Sequence, residues 1–207
     1  MEILTLASQL TIGEWVAVKI SAHPLLRRAL AVLMVLATML FLNKPAVAGE
    51  SLEYGVKAAF LSKFGSYVEW PATAFNSPTS PFNLCLTGSA DEFGSTLEKV
   101  ISGENINGRG VVIRRIKTVE RNADCHILYI SASESQRSEQ IIESVRGNNV
   151  LTVGDGGSNG IIDFVITNNR VRFNIDDEAA AQNGLIISSR LLSLALNVKR
   201  RNSKGEQ

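Results

Sequence analysis

Apolar side chains recur at intervals of three and four residues along segment 51–69, and this spacing predicts a helix with one apolar stripe. Ser51 is a suitable N-cap for that helix. Pro71 disfavours helical geometry at Trp70 and ends the element there. We expect the stripe to be a core face that packs on a sheet. Its members are Leu52, Val56, Ala59, Phe60, Phe64, Tyr67 and Val68.

Strand patterns alternate with helix patterns between residues 82 and 155. Short apolar runs predict strands at 82–88, 108–119, 124–131 and 149–155. Helices are predicted at 91–101, ending at Gly103, and at 133–147, with Ser133 as the cap and Gly147 at the end. Such alternation is typical of a largely parallel sheet with helices on both faces.

The pattern changes after residue 160. Segment 160–176 contains two alternating strands around Asn168 and Asn169, which tolerate positive φ and suit a tight hairpin turn. The apolar segment 188–198 predicts a buried final helix that begins near Ser188 or Ser189. We therefore predict an α/β fold in a single domain. It has a mixed, mostly parallel sheet with an antiparallel C-terminal hairpin, and helices on both faces.

The first 48 residues have the features of a secretion signal. Arg27 and Arg28 precede an uninterrupted apolar run at 29–42, and Ala46 and Ala48 are small residues of the kind that precede a cleavage site. This run is shorter than the ~20 residues that a membrane-spanning helix needs. We predict cleavage near Ala48 and a periplasmic protein. An uncleaved N-terminal membrane anchor is the alternative.

The predicted cleavage divides the chain into a leader at 1–48, an α/β domain at 49–200 and a polar tail at 201–207. The whole chain has 207 residues, of which 45% are hydrophobic and 20% charged, and its formal net charge is +1. From residue 49 onward, 17 Lys and Arg stand against 18 Asp and Glu. No basic surface of the kind that binds nucleic acid is expected from this balance.

Two cysteines, Cys85 and Cys125, follow the predicted cleavage site. An even number of cysteines in an exported protein suggests a bridge, and closing a loop of about 40 residues would contribute roughly 4 kcal/mol. Two buried free thiols are the alternative. His126 follows Cys125 directly, but neighbouring strand residues point to opposite faces, so no thiolate–imidazole pair is expected. We expect His126 to be a core or surface residue, and we expect no metal and no cofactor.

The glycine-rich segment 154–160 is the strongest candidate for a ligand-binding loop, because backbone N–H groups in such loops can bind phosphate. However, it lacks a P-loop lysine, and a strand follows it rather than a helix, so a turn between strands is favoured. Gly156 and Gly157 remain candidate binding residues. Asp176 and Asp177 are expected to be carboxylates at the start of a helix. We find no catalytic constellation and predict that the protein is not an enzyme.

The segment EYGVKAAFLSKFGSYVEWP, at 53–71, resembles the opening helix of YfiR-family periplasmic proteins. Later segments resemble that family in the same order, and the resemblance covers essentially all of 50–199. They are FNLCLTG, CHILYIS, LTVGD, the glycine loop leading to GIIDFV, VRFNI and GLIISSRLLSLALNV. The ordered set is far more specific than any one segment.

This resemblance implies a regulatory protein. YfiR-like proteins bind the periplasmic part of an inner-membrane diguanylate cyclase. They thereby repress cyclic-di-GMP synthesis and, with it, biofilm formation. The resemblance also implies a disulfide between Cys85 and Cys125, whereas a second, C-terminal cysteine pair of some members is absent. Phe64, Tyr67 and Trp70 become candidate binding residues within the fold-defining helix.

Other functions remain open on the sequence. The runner-up is a periplasmic small-ligand binding module that uses loop 154–160 and the strand ends of the sheet. A thiol-dependent enzyme acting through Cys85 or Cys125 is a third possibility. For the regulatory protein we also expect a homodimer, because an antiparallel edge strand is available for pairing.

Overall fold

The computed structural model describes residues 48–88, 91–121 and 123–201, together with Arg28 and residues 32–34. The chain divides into two units, residues 1–46 and 47–207. In the first unit only four residues are described, and all four are helical. The predicted apolar run at 29–42 therefore lies almost entirely outside the described residues. The cleavage near Ala48 therefore stays a prediction. The second unit contains the α/β fold.

Within the described residues, eight strands form the central sheet and two more form a separate ladder. The central strands are β2 (Phe82–Leu86), β3 (Asn105–Ile106), β4 (Arg109–Arg115), β5 (Ile127–Ile130), β6 (Leu151–Gly154), β7 (Ile162–Thr167), β8 (Arg170–Asp176) and β10 (Val198–Lys199). Their order is β10-β8-β7-β6-β5-β2-β4-β3. Strands β4, β2, β5, β6 and β7 are parallel, whereas β8 is antiparallel to β7 and β3 to β4. The predicted mixed, mostly parallel sheet is confirmed.

Helices cover both faces of this sheet. On one face lie α1 (Ala48–Phe64) and α2 (Asp91–Ile101), whose Leu61 and Leu97 share a buried cluster with Leu84 of β2. On the other face lies α3 (Ser138–Ser144), whose Ile141 packs with Leu128 of β5. Successive strand residues point to opposite faces, so β2, β5 and β6, which have helices on both sides, are buried along their whole length. The predicted helices on both faces are confirmed.

The first helix differs from its prediction at both ends. It begins at Ala48, so Ser51 lies inside it, and it stops at Phe64 rather than near Trp70. The chain then tightens into a 3₁₀ turn at Gly65–Tyr67 and forms β1 (Val68–Glu69), which pairs antiparallel with β9 (Ile186–Ile187). A Cβ on Gly65 would lie 2.5 Å from the Ile106 side chain, so this glycine allows a close approach to β3. Tertiary pairing therefore ends the helix before Pro71 does.

The predicted helix at 133–147 begins differently as well. Ser131, not Ser133, caps the segment by accepting a hydrogen bond from the Ser133 N–H. The first six residues, Ala132–Arg137, are 3₁₀, and the α-helical part is α3 alone. Gly147 has a φ of 76° and follows the helix end as predicted.

The hairpin prediction is confirmed in detail. Asn168 and Asn169, with φ of 52° and 57°, connect β7 to β8 in a two-residue turn that suits the twist of the strands. After β8, Asp176 accepts a hydrogen bond from the Ala179 N–H and caps α4 (Asp177–Gln182), as expected of a helix-start carboxylate. Asp177 pairs with Arg201 at 2.7 Å, so the beginning of the predicted solvated tail is held on the domain.

The prediction of a buried helix at 188–198 is wrong for most of that segment. Ser188 caps a single turn, α5 (Ser189–Leu192), and the chain then leaves helical geometry. Leu194 and Leu196 are 55% and 44% exposed. Backbone pairing overrides helix propensity here, because β10 runs parallel to the end of β8. β10 also covers part of the edge that the sequence offered for dimerisation, and the dimer stays a prediction.

Candidate functional site: an apolar groove beside the first helix

A groove of about 790 Å³ runs along α1 and is lined almost wholly by apolar side chains. The α1 side contributes residues spaced three and four apart, continued by Tyr67 beyond the helix end. The facing wall comes from Phe173 of β8 and from Leu191 and Leu194 around α5. The lining of the α1 side is Leu52, Gly55, Val56, Ala59, Phe60, Lys63, Phe64 and Tyr67.

This stripe is largely the one that the sequence predicts to be a core face, so that prediction needs correction. Phe64 is 1% exposed and belongs to the core, but Leu52 is 72% exposed. The opposite side of α1 packs inward through Ala58 and Leu61, both fully buried. The helix is thus apolar on two faces, and the sheet covers only one of them. The sequence could have indicated the second face, because the apolar positions of α1 cover an arc wider than a single stripe.

Four phenylalanine rings form the floor of the groove and the layer beneath it. The Phe64 ring centroid lies 5.2 Å from that of Phe173, in edge-to-face geometry, and Phe60 lies 5.3 Å from the same ring. Phe164 of β7 packs behind them, 5.8 Å from Phe64. Mutual packing of these rings holds the floor rigid, because each ring is held by at least two others.

Charged groups are confined to the rim. Lys63 forms an exposed ion pair with Glu104, with 3.1 Å between Nζ and Oε2. The Arg190 guanidinium lies 5.9 Å from the centroid of the Tyr67 ring. An apolar interior with a polar rim is the arrangement of a protein-binding hot spot.

Behind the groove, α1 is anchored to the sheet by a buried ion pair. Lys57 is 3% exposed, and its Nζ lies 2.8 and 2.7 Å from the two carboxylate oxygens of Asp155. Glu53 provides a second carboxylate at 2.5 Å, and the Tyr129 hydroxyl donates to Asp155 at 2.7 Å. Burial acts to lower the Lys57 pKa, but the hydrogen bonds to Asp155 and Glu53 outweigh it and raise that pKa. Burial and the neighbouring Asp155 charge raise the pKa of Tyr129.

The glycine-rich segment 154–160 begins at the last residue of β6 and forms most of the connection to the parallel strand β7. These strands overlap by only two residue pairs, so the chain can return without a helix. Gly156 and Gly157 have φ of 67° and 82°. A Cβ on Gly160 would lie 2.8 Å from the backbone N of Gly154. Tight chain reversal therefore accounts for the glycines.

The loop directs backbone N–H groups inward. Those of Ser158 and Asn159 donate to the carboxylate of Asp163. Ser158 also exchanges hydrogen bonds with the backbone of Asp155, at 3.2 and 2.5 Å. These groups are therefore occupied within the protein, which does not favour a phosphate cradle.

The structure brings only part of the predicted site residues together. Phe64 and Tyr67 line the groove, but Trp70 does not. Trp70 donates from Nε1 to the Asn149 carbonyl at 3.0 Å and packs edge-to-face on Phe82, at 5.1 Å. Gly156 and Gly157 lie in the loop beyond β6, outside the groove lining. Sequence reasoning missed Phe173, Leu191 and Leu194, because no local pattern shows that β8 and α5 meet α1.

His126 is a buried core residue, which is one of the two placements, core or surface, that the sequence predicts. Its ring stacks on Phe75 and Phe82, with centroids 4.4 and 4.9 Å away. Nδ1 accepts from the Asn83 N–H at 2.9 Å, so the proton is on Nε2, which donates to the Ala74 carbonyl at 3.1 Å. Burial lowers the pKa of His126.

The structure joins Cys85 and Cys125 in a disulfide, with 5.8 Å between their Cα atoms. Cys85 is fully buried and Cys125 is 7% exposed. Among the described residues, no group of three or more His, Cys, Asp and Glu side chains is arranged to hold a metal. Nor does that part of the chain contain a helix long and apolar enough to cross a membrane.

Comparison with protein families gives a match across most of the α/β domain. The sequence model of the YfiR/HmsC-like family matches residues 54–196. The chain belongs to this family. The match begins within α1 and ends just before β10, so it includes both walls of the groove except Leu52. Members of the YfiR/HmsC-like family are regulators rather than enzymes, and membership indicates a periplasmic regulator of cyclic-di-GMP signalling. The predicted family is thereby confirmed.

Proposed function

We propose that this YfiR/HmsC-like protein binds the periplasmic part of an inner-membrane diguanylate cyclase, or of a similar sensor, and holds it inactive. Family membership supports a regulatory role in cyclic-di-GMP signalling. The apolar groove supports binding to a protein, and its candidate contacts include Phe64 and Tyr67. Release of the partner would then permit cyclic-di-GMP synthesis and biofilm formation.

The exposure of leucine on both walls of the groove is the observation that carries this proposal. Leu52 and Leu194 are 72% and 55% exposed although they border an already apolar surface. Covering such a patch releases water from apolar area, which is favourable by about 25 cal/mol per Å² before the costs of association. A partner that inserts an apolar or aromatic side chain between α1 and α5 fits the groove best.

The test measures cellular cyclic-di-GMP in a strain that lacks this protein. The strain is complemented with the wild type, with Leu52→Glu, with Leu194→Glu, or with Val112→Glu. Val112 is a matched control, because it is 44% exposed on β4 and does not line the groove. We expect deletion to raise cyclic-di-GMP, and we expect the wild type and Val112→Glu to restore it. The two groove variants should accumulate normally but fail to restore it.

Two results would overturn the proposal. One is unchanged cyclic-di-GMP in the deletion strain under several growth conditions. The other is full complementation by both groove variants. A photo-crosslinking residue at position 194, compared with one at position 112, then identifies the partner. Capture of an inner-membrane cyclase only from position 194 supports the proposal, and capture of only a second copy of this chain counts against it.

A further inference from the structure

Part of the outer edge of β8 is left open. Leu196 donates from its N–H to the Phe173 carbonyl at 2.8 Å, and the Asn197 carbonyl accepts from the Ile175 N–H at 2.9 Å. Residues 173 and 175 therefore turn these backbone groups outward, and by alternation Val171 does the same. Among the described residues, the N–H and C=O of Val171 have no backbone partner on that side.

Two arginines flank this open position. Arg170 and Arg172 are exposed and point to the face opposite Val171 and Phe173, about 7 Å apart along the strand. Neither arginine side chain has an ion pair or a hydrogen bond within the described ranges. Both line a cavity of about 370 Å³ with Thr167, Asn168 and Leu196. Unpaired guanidinium groups beside a free strand edge favour an anionic extended ligand.

A second copy of this chain fits the edge poorly. An antiparallel β8–β8 pair centred on Val171 would place Arg170 opposite Arg172 of the other copy, and it would do so twice. Like charges directly opposite each other destabilise a sheet. The open edge thus disfavours self-pairing through β8 and selects for a strand of opposite charge.

This edge also adjoins the apolar groove. Leu194 lines the groove and Leu196 lines the arginine cavity, so the short segment between them separates the two surfaces. Val171 and Phe173 face the groove side of the sheet, whereas the arginines face away from it. A strand added to β8 would present alternate side chains to these two faces.

We propose that the edge of β8 at 170–173 binds an extended acidic segment of a partner protein. Acidic residues at every second position would face Arg170 and Arg172, and apolar residues between them would face the groove side. The inference rests on the proposed function in one respect: the bound segment belongs to the same partner that occupies the groove. It specifies the chemistry of that partner, namely an alternating acidic and apolar strand.

The experiment uses a short fluorescent peptide that alternates glutamate with valine, titrated onto the full chain and followed by anisotropy. We expect binding that weakens at high salt and that is at least tenfold weaker for Arg170→Gln/Arg172→Gln. The same peptide with a methylated backbone on its pairing side should also bind at least tenfold more weakly. Lys99→Gln/Arg121→Gln, which removes two exposed charges elsewhere, is the control and should bind normally.

Equal binding to the wild type and to the β8 double variant would overturn the proposal. So would the absence of binding to the wild type at millimolar peptide, and the arginines would then only protect the edge from self-association. The peptide assay needs no cyclase, so it can fail separately from the proposed function. Peptide binding together with unchanged cyclic-di-GMP in the deletion strain would retain the edge site and reject the cyclase as its partner.

Discussion

Lys57 on α1 and Asp155 beyond β6 form a buried ion pair in which the lysine Nζ lies 2.8 and 2.7 Å from the two carboxylate oxygens. The two residues are 98 positions apart, so the pair connects the first helix to the centre of the sheet. The stripe of α1 that lines the groove lies on the same helix. The position of one groove wall therefore depends on this contact.

Breaking this pair from one side should destabilise the protein strongly. We expect Lys57→Met and Asp155→Asn each to lower the free energy of unfolding by about 3 kcal/mol, because each leaves a buried charge without its main partner. The amide introduced by Asp155→Asn would still accept from the Tyr129 hydroxyl, so that contact is retained. The double variant should lose less than the sum of the two single losses. Urea denaturation followed by circular dichroism measures all three values.

Lys63→Met is the matched control for that cycle. Lys63 pairs with Glu104 at the groove rim, where both side chains are about half exposed. Lys63→Met should lower the free energy of unfolding by less than about 1 kcal/mol. Additive effects of Lys57→Met and Asp155→Asn would contradict a direct coupling between the two residues.

His126 should make the folded state sensitive to mild acid. Burial lowers its pKa below the ordinary 6.5, so the unfolded chain binds a proton more readily than the folded protein does. Stability is therefore fully present above pH 6.5 and falls as the pH drops below that value. Protonation of Nδ1 would also replace the acceptor of the Asn83 N–H by a second donor. Unfolding free energies measured at intervals from pH 7.5 to pH 5 test this.

His126→Asn provides the comparison. Asn retains a carbonyl acceptor but does not titrate, so the stability of the variant should depend less on pH between pH 7.5 and pH 5. The variant should be less stable than the wild type throughout, because ring stacking is lost. The difference between the two slopes is the readout. Parallel pH profiles for the wild type and His126→Asn would show that another group controls the acid response.

The strand and helix order followed from the sequence where local pattern and tertiary context agree. The helix α2 matches its predicted span, 91–101, because an amphipathic pattern and a terminal Gly103 act together. The turn at Asn168 and Asn169 was equally predictable from residue type. Segment 188–198 was not, because its leucines satisfy a helical pattern while its backbone pairs with β8.

The groove was only half predictable for the same reason. The sequence shows the apolar stripe of α1 but not whether a sheet or solvent faces it. Phe173 and Leu194 come from segments more than 100 residues away from α1 along the chain, and only the fold brings them to the opposite wall. The arginine pair of β8 was visible as two charges in an alternating strand, yet the open backbone edge beside it depends on where β10 begins.

Removal of the disulfide should lower stability without removing the fold. The bond joins Cys85 and Cys125 across 40 residues, and chain entropy predicts a loss of about 4 kcal/mol for Cys85→Ala/Cys125→Ala. Thiol reductant should lower the urea midpoint of the wild type towards that of the variant and leave the variant unchanged. A variant as stable as the oxidised wild type would show that the bridge contributes nothing to folding in solution.

Asp163 on β7 should destabilise the folded protein at neutral pH. Its Oδ1 is buried without a hydrogen-bond partner, and burial together with the Asp155 charge raises its pKa. A carboxyl whose pKa is raised by folding contributes stability when protonated and loses that contribution as the pH rises through its folded pKa. We therefore expect Asp163→Asn to gain about 1 kcal/mol at pH 7, because a neutral amide removes the buried charge and keeps one acceptor for the Ser158 and Asn159 N–H groups.

The advantage of Asp163→Asn should shrink as the pH falls, since the wild-type carboxyl then becomes neutral as well. Urea denaturation of both proteins between pH 4 and pH 8 gives this difference directly. Glu120→Gln is a suitable control, because Glu120 is an exposed carboxylate on the loop between β4 and β5, and its effect on stability should stay small at every pH. A loss of stability in Asp163→Asn that stays constant across this range would show that the charged carboxylate, held by the two loop N–H groups, stabilises the reversal between β6 and β7.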